Sequence, residues 1–255
     1  MTKQIIYETT GRAKEYCPYA IEIYDGCEHK CTYCYNVTSG KRKENDFYEK
    51  IKPIPGLLYR LELLAPEYSN INGRILLCFG CDPYQPLDDE LQLTRKALEI
   101  LIKYNVPFQV LTKGGLRAVR DFDLLKQANG LYAVTLLFTN DESRKKWEPN
   151  TASIDERVES LKIAHEMGIN TWVSIEPPII PEEALGVINL VEPYVSAYKI
   201  GKWNHETDAE NIDWKDFGYK VYGKMKEIGK PYLIKADLAK FMSKNCVLNT
   251  IPESF

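Results

Sequence analysis

Strand-like and helix-like runs alternate along this chain, and that rhythm restricts the fold more than any other feature. Short stretches rich in β-branched and aromatic residues fall at 20–24, 74–79, 108–112, 131–138, 170–175, 196–201 and 232–235. Amphipathic stretches at about 56–64, 92–104, 117–128, 154–167, 181–191 and 214–228 lie between them. Six or seven such alternations imply parallel strands joined by right-handed crossovers, the grammar of a complete or partial (β/α) barrel in the α/β class. A doubly wound sheet shares that grammar. The barrel is preferred because polar and special residues recur just after the strands: a cysteine-rich loop after the first, Cys81 and Asp82 after the second, Lys113 after the third, Glu176 after the fifth and Lys202 after the sixth. Loops at the C-terminal rim of a barrel converge on a ligand.

The 255 residues, 44% hydrophobic and 27% charged, suit one sizeable core. We expect a single domain over 1–255 with its core at about 18–236 and short extensions at each end. No stretch approaches the roughly 18 apolar residues of a membrane span, and the N-terminal residues have no leader-like pattern, so a cytoplasmic protein without a membrane partner is expected. A net charge of −3 and a pI near 5.8 contrast with the pI above about 9 usual for a duplex-binding domain. The basic runs Lys41, Arg42, Lys43 and Arg144, Lys145, Lys146 read as solvated loops.

Seven cysteines sit at 17, 27, 31, 34, 78, 81 and 246, an odd number with three crowded into eight residues. That pattern is metal binding in a reducing compartment, not a disulfide framework. Cys27, Cys31 and Cys34 have the spacing C-x3-C-x2-C on a loop after a strand. Three thiolates hold one iron–sulfur cube and leave its fourth iron open, whereas electron-transfer clusters are closed by four cysteines. Structural zinc is the competing reading; it wants four ligands, and Cys17 is the candidate fourth, with His29 inside the first spacing.

With Tyr33 just before the last cysteine, this motif resembles that of the radical S-adenosylmethionine superfamily. The resemblance implies a [4Fe-4S] cluster whose unique iron chelates S-adenosylmethionine. It also implies an external one-electron reductant of flavodoxin or ferredoxin type, and reductive cleavage to methionine and a 5′-deoxyadenosyl radical that abstracts hydrogen from a substrate. Four further pieces, Cys34-Tyr35, Asp82-Pro83-Tyr84-Gln85-Pro86, Thr112-Lys113 with Arg120-Asp121-Phe122-Asp123-Leu124-Leu125, and Glu148-Pro149 with Arg157 and Gly168-Ile169, resemble the spore photoproduct lyase-like branch. The segment Lys199 to His205 also looks like members of that branch. The fold so implied is a partial (β/α)6-type TIM barrel.

Roles follow for single residues. Asp82 pairs with the ammonium of S-adenosylmethionine or caps an Asx turn ahead of Pro83. Lys113 and Arg157 are candidate partners for the methionine carboxylate, Arg157 being otherwise an ordinary ion pair on an exposed helix face. Thr135 is a candidate contact to the sulfonium or ribose, or is there for β-propensity alone. Glu176, before Pro177 and Pro178, is a candidate for the ribose hydroxyls or the substrate, or is solvated. In spore photoproduct lyase a cysteine at the end of the second strand returns hydrogen to the product radical; here Phe79 falls at that place. Cys81 remains a candidate hydrogen donor, with Tyr33 and Tyr35 as relays, and Cys78 reads as a small core residue. His165 and His205 read as structural.

The function expected is a radical enzyme, with a modified or damaged nucleobase in DNA or RNA as substrate. A small metabolite, a nucleoside or a peptide is the alternative substrate, and a non-enzymatic metal-binding or redox-sensing barrel is the rival class.

Overall fold

The computed structural model describes residues 4–69, 71–204 and 206–252; His205 lies outside the described residues. Among the described residues ten strands occur in chain order: β1 (Ile6–Glu8), β2 (Tyr19–Ile21), β3 (Tyr24–Asp25), β4 (Lys52–Pro53), β5 (Ile75–Leu77), β6 (Phe108–Thr112), β7 (Leu131–Thr135), β8 (Thr171–Ile175), β9 (Ala197–Ile200) and β10 (Tyr232–Ile234). Eight of them form one sheet in the order β1-β2-β5-β6-β7-β8-β9-β10, and β3 pairs with β4 in a small separate ribbon. From β2 to β10 every pairing is parallel, with Ala20 opposite Leu76, Val110 opposite Tyr132 and Val173 opposite Tyr198. Six crossovers therefore join seven parallel strands, each to its neighbour, as expected of an open (β/α)6-type partial barrel.

Alternation along the strands sorts side chains to two faces. Tyr132 and Val134 join the large cluster beneath the helices, while Leu131 and Ala133 join a smaller one with Ala20, Leu76, Trp172 and Ala197 on the inner face. Because β7 and β8 are buried along their whole length, they read as near-continuous apolar runs. The outer helices have clear local causes. Ser153 accepts from Glu156 N, and Glu156 accepts from Ser153 N, a capping box that starts the helix Ile154–Glu166. Asp213 caps the helix Trp214–Ile228, which ends at the left-handed Gly229.

Several expected boundaries differ; the run 131–138, for one, is strand only to Thr135. The run 20–24 splits because β2 stops at Ile21 and the chain turns to form β3 against β4. The run 74–79 stops at Leu77 because Cys78 is left-handed, with φ 59°. The stretch 117–128 begins as a 3-10 helix, Gly115–Asp121, and only then becomes α-helix, Phe122–Gln127.

Antiparallel segments occupy both margins of the sheet. β1 covers β2, and on the far side Ile234 N donates to Leu248 O while Thr250 N donates to Tyr232 O. Between the margins sits the 3-10 turn Gly11–Glu15. Its Arg12 pairs with Asp237 at 2.5 Å, and its Glu15 accepts from Ala236 N. Among the described residues no helix is long and apolar enough to cross a membrane.

Candidate active site

A cavity of about 680 Å³ opens at the C-terminal ends of the parallel strands, within the range of small-molecule sites. It collects the three motif cysteines and every other expected site residue, Tyr33, Tyr35, Cys81, Asp82, Lys113, Thr135 and Glu176, except Arg157. Six cationic side chains (Arg12, Lys30, Lys41, Lys113, Lys202, Lys235) line it against three acidic ones (Glu8, Asp82, Glu176). Arg12, Lys30 and Lys235 are paired with Asp237, Glu49 and Glu176, so the basic wall is made by Lys41, Lys113 and Lys202.

The cysteine loop is held by its backbone. Gly26 has φ 109°, and a Cβ there would stand 2.7 Å from Phe47 O, the carbonyl that accepts from Cys27 N. Only glycine fits that approach. Gln85 accepts from Glu28 N at 2.8 Å and donates to Gly26 O. Tyr48 donates to Cys31 O at 2.7 Å, and Thr32 N donates to Trp147 O. The segments Asp82 to Pro86 and Glu148-Pro149 are therefore clamps on this loop.

Burial pushes the Cys31 thiol up to about 12, against the nearby Lys113 ammonium, and raises Cys27 well above the usual thiol value, with Asp82 adding to it. Both are neutral thiols that would lose protons on binding metal. A single zinc ion binds sulfur at about 2.3 Å, so its thiolates stand roughly 3.8 Å apart. Among the described residues one group of three donors lies within 4.8 Å of one another, and it is not these three cysteines. They line one cavity without being drawn together around a single point. Cys17 is no fourth ligand: it is buried among Tyr16, Ala20 and Trp172 and does not line the cavity. His29 does line it, 1% exposed; its Nδ1 is 3.4 Å from Asp82, and its Nε2 has no protein partner. A buried, unpaired donor or acceptor beside three thiols fits a site built to surround a further polar group.

Arg157 corrects an expectation. It is neither a cavity cation nor an exposed ion pair: fully buried, it pairs with the equally buried Glu148 at 2.6 Å. It donates to Thr135 O, Ala152 O and Thr151 Oγ1. Glu148 in turn accepts the Tyr33 hydroxyl, and Lys113 lies over the Tyr33 ring. Burial alone would lower the Lys113 pKa, but Cys31 and Glu148 raise it, so the amine is charged.

Asp82 spends its oxygens on the protein. Oδ1 accepts from Tyr84 N and Thr112 Oγ1, and Oδ2 accepts from Lys113 N. The Asx turn is real, and the same carboxylate ties β5 to β6. Although burial opposes ionisation, His29 and these hydrogen bonds hold the carboxyl well below its usual range. Glu176 accepts from Tyr16 and Lys235, so it is fixed at the rim, not solvated. Gly201 makes room for it, since a Cβ there would meet its carboxyl carbon at 2.4 Å.

Sequence reasoning missed two partners. Cys78 is a buried core residue, as expected, but it also reaches the cavity wall beside Cys81. Glu22, midway along the first strand-like run, accepts the Cys81 thiol at 3.4 Å. Tyr35 donates to Phe79 O, and Lys41 lies 4.9 Å from its ring centre, so the first basic run is partly site wall. In the second run Arg144 is buried and donates to three carbonyls. His165 is exposed.

Residues 21–190 match the model of the radical SAM superfamily. The chain belongs to that superfamily, whose members use a [4Fe-4S] cluster and S-adenosylmethionine. A Methanocaldococcus jannaschii protein described as uncharacterized is 29% identical over 188 residues, 71% of this chain and 68% of that one. Spore photoproduct lyase superposes with a TM-score of 0.69 at 12% identity, over 90% of this chain and 79% of that one; a second structure of it holds a dinucleoside spore photoproduct (TM-score 0.60, 16% identity, 80% and 62% covered). Streptococcus suis SuiB, bound to its precursor peptide SuiA, gives 0.65 at 12% identity over 87% of this chain. This chain spans only 49% of SuiB. These likenesses in structure establish the fold.

Proposed function

We propose that this radical SAM protein cleaves S-adenosylmethionine reductively and acts on a modified or damaged nucleobase carried by a nucleotide or oligonucleotide. The observation that carries the reading is the convergence of Cys27, Cys31 and Cys34 on a basic, aromatic-lined cavity at the strand ends. When bound through these thiolates, the cluster supplies the electron that breaks the sulfonium bond, drawn from a flavodoxin- or ferredoxin-type donor. The chain's own residues bind and orient. Lys113, charged and set behind Tyr33, is the carboxylate partner; Thr135 and Glu176 face the ribose side; the loop clamps keep the three thiols in register.

Two features favour a phosphate-bearing substrate over a neutral metabolite. The excess of cations attracts anions into a cleft where water screens them poorly. Tyr16, Tyr35, Phe79 and Trp203 on the walls offer faces on which a base stacks. Tyr35, on the same wall as Cys81, is the candidate relay. The dinucleoside held by spore photoproduct lyase is a chemical parallel. We read residues 1–255 as one domain.

The test is anaerobic. Protein reconstituted with iron and sulfide and reduced with dithionite is given S-adenosylmethionine, and 5′-deoxyadenosine is quantified against Cys31→Ala. Formation by the wild type alone supports the radical reading, and a colourless, zinc-loaded protein overturns it. Stimulation by lesion-bearing oligonucleotides or modified nucleosides supports the substrate class; stimulation only by peptides refutes it.

A further inference from the structure

Beside the cluster loop lies a second set of metal donors. Glu22, Cys78 and Cys81 each place a ligand atom within 4.8 Å of the other two, the one such group among the described residues. Both cysteines line the cavity, whereas Glu22 stands behind them. We infer that these three residues hold a zinc-class divalent ion with one coordination position open to the cavity.

The donor set selects the ion. Two thiolates and one carboxylate suit a four-coordinate soft or borderline cation and not magnesium or calcium, which take oxygen ligands. Thiolates on one zinc stand about 3.8 Å apart, so the group needs to contract by less than about 1 Å. Three protein ligands and an open fourth position are the pattern of catalytic zinc, whereas structural zinc is closed by four.

The carboxylate is already aimed. Its Oε1 accepts from the Tyr7 hydroxyl at 2.6 Å, Gly80 N at 2.8 Å and Phe79 N at 3.1 Å. That leaves Oε2 for the Cys81 thiol. Outer partners of this kind orient metal-ligating carboxylates. The thiol proton between Cys81 and Glu22 occupies the direction an ion would take, and binding expels one proton from each thiol. The backbone agrees: Cys78 is left-handed, with φ 59°, an uncommon and costly conformation for a side-chain-bearing residue. It brings the Cys78 sulfur round to Cys81 and Glu22 in place of continuing β5. Asn36, two residues beyond Cys34, donates to Gly80 O at 2.7 Å, so this loop is tied to the cluster loop. The open position faces the basic cavity, where it takes an electron-pair donor of the substrate, such as a ring nitrogen, a carbonyl or a phosphate oxygen.

The test uses holoprotein with its cluster in place, equilibrated with zinc and passed over a desalting column. Metal analysis should find one zinc per chain in addition to the iron. Absorption at the zinc edge should show two sulfur neighbours at about 2.3 Å with lighter atoms completing the shell. Cys78→Ser with Cys81→Ser should lose the zinc and keep the iron. Cys27→Ala with Cys31→Ala and Cys34→Ala should lose the iron and keep the zinc, which separates this site from the cluster reading. Glu22→Gln should weaken zinc retention about 10- to 100-fold. No zinc in the wild type, zinc without sulfur neighbours, zinc that follows the motif cysteines, or a Cys78–Cys81 disulfide in the reduced holoprotein would overturn the inference. The wild-type spectrum is decisive by itself, whether or not every variant folds.

Discussion

Arg157 and Glu148 meet at 2.6 Å with neither side chain touching solvent, and through the Tyr33 hydroxyl on Glu148 the pair fastens the cysteine loop to the barrel. Removing one partner of a buried pair strands the other charge, at a cost of about 3–5 kcal/mol. Arg157→Met is therefore expected to lower the urea midpoint by that equivalent and to purify with less iron than wild type. Arg157→Met with Glu148→Leu should recover part of the stability but not the iron, because Tyr33 then loses its acceptor.

Gln85 is a second fastener, bonded to Glu28 N and Gly26 O. Gln85→Leu leaves a buried donor and acceptor unpaired, which costs about 1–3 kcal/mol for each group. Cluster loss to a chelator should speed up several-fold with all three cysteines present. Iron release followed by absorbance reads this directly, and an unchanged rate would remove Gln85 from the clamp.

Gly201 and Gly223 offer a matched pair. At Gly201 a methyl group runs into the Glu176 carboxyl, whereas at Gly223, within the helix Trp214–Ile228, it meets open space. Gly201→Ala should cost about 1–3 kcal/mol by overpacking and weaken S-adenosylmethionine binding by displacing Glu176 from Tyr16 and Lys235. Gly223→Ala should gain about 0.5–1 kcal/mol from helix propensity and leave binding unchanged. Thermal melting and equilibrium dialysis test both.

Lys199 carries a pH signature. Burial, with Lys235 nearby, holds its amine down to about 8 from the usual 10.5, although it donates to Glu15 O and Tyr16 O. Between about pH 8 and 10.5 the unfolded chain binds a proton that the folded chain does not. Stability from this group therefore rises with pH across that window, by up to about 3 kcal/mol. Urea midpoints at pH 7.5, 9 and 10.5 should show the wild type gaining on Lys199→Met; parallel curves would refute the assignment.

The strand order and the rim were legible because parallel strands deliver successive C-terminal ends to one side, so Asp82, Lys113, Thr135 and Glu176 had to converge. Arg157 was misread, yet a signal was available. It falls in the stripe Ile154, Arg157, Leu161, Ala164 that the helix buries, and a lone charge in an apolar stripe announces a buried partner. Glu22 was similarly visible as a carboxylate between Ile21 and Ile23. Cys78 was not: strand alternation sends its side chain to the wrong face, and nothing in Leu77-Cys78-Phe79 forecasts a left-handed residue.

The turn Gly11–Glu15 stands where a closed barrel would have another strand pairing. It spans the seam through side chains: Arg12 pairs with Asp237, the Glu15 carboxylate accepts from Ala236 N and lies near Lys235, and Lys199 donates to Glu15 O. Elsewhere the girth of the sheet is set by continuous ladders; here it is set by a latch, and exposed ion pairs weaken as salt screens them. At that line the circumference is held by side chains and not by ladder rungs, and its exposed Arg12–Asp237 pair is expected to loosen as ionic strength rises.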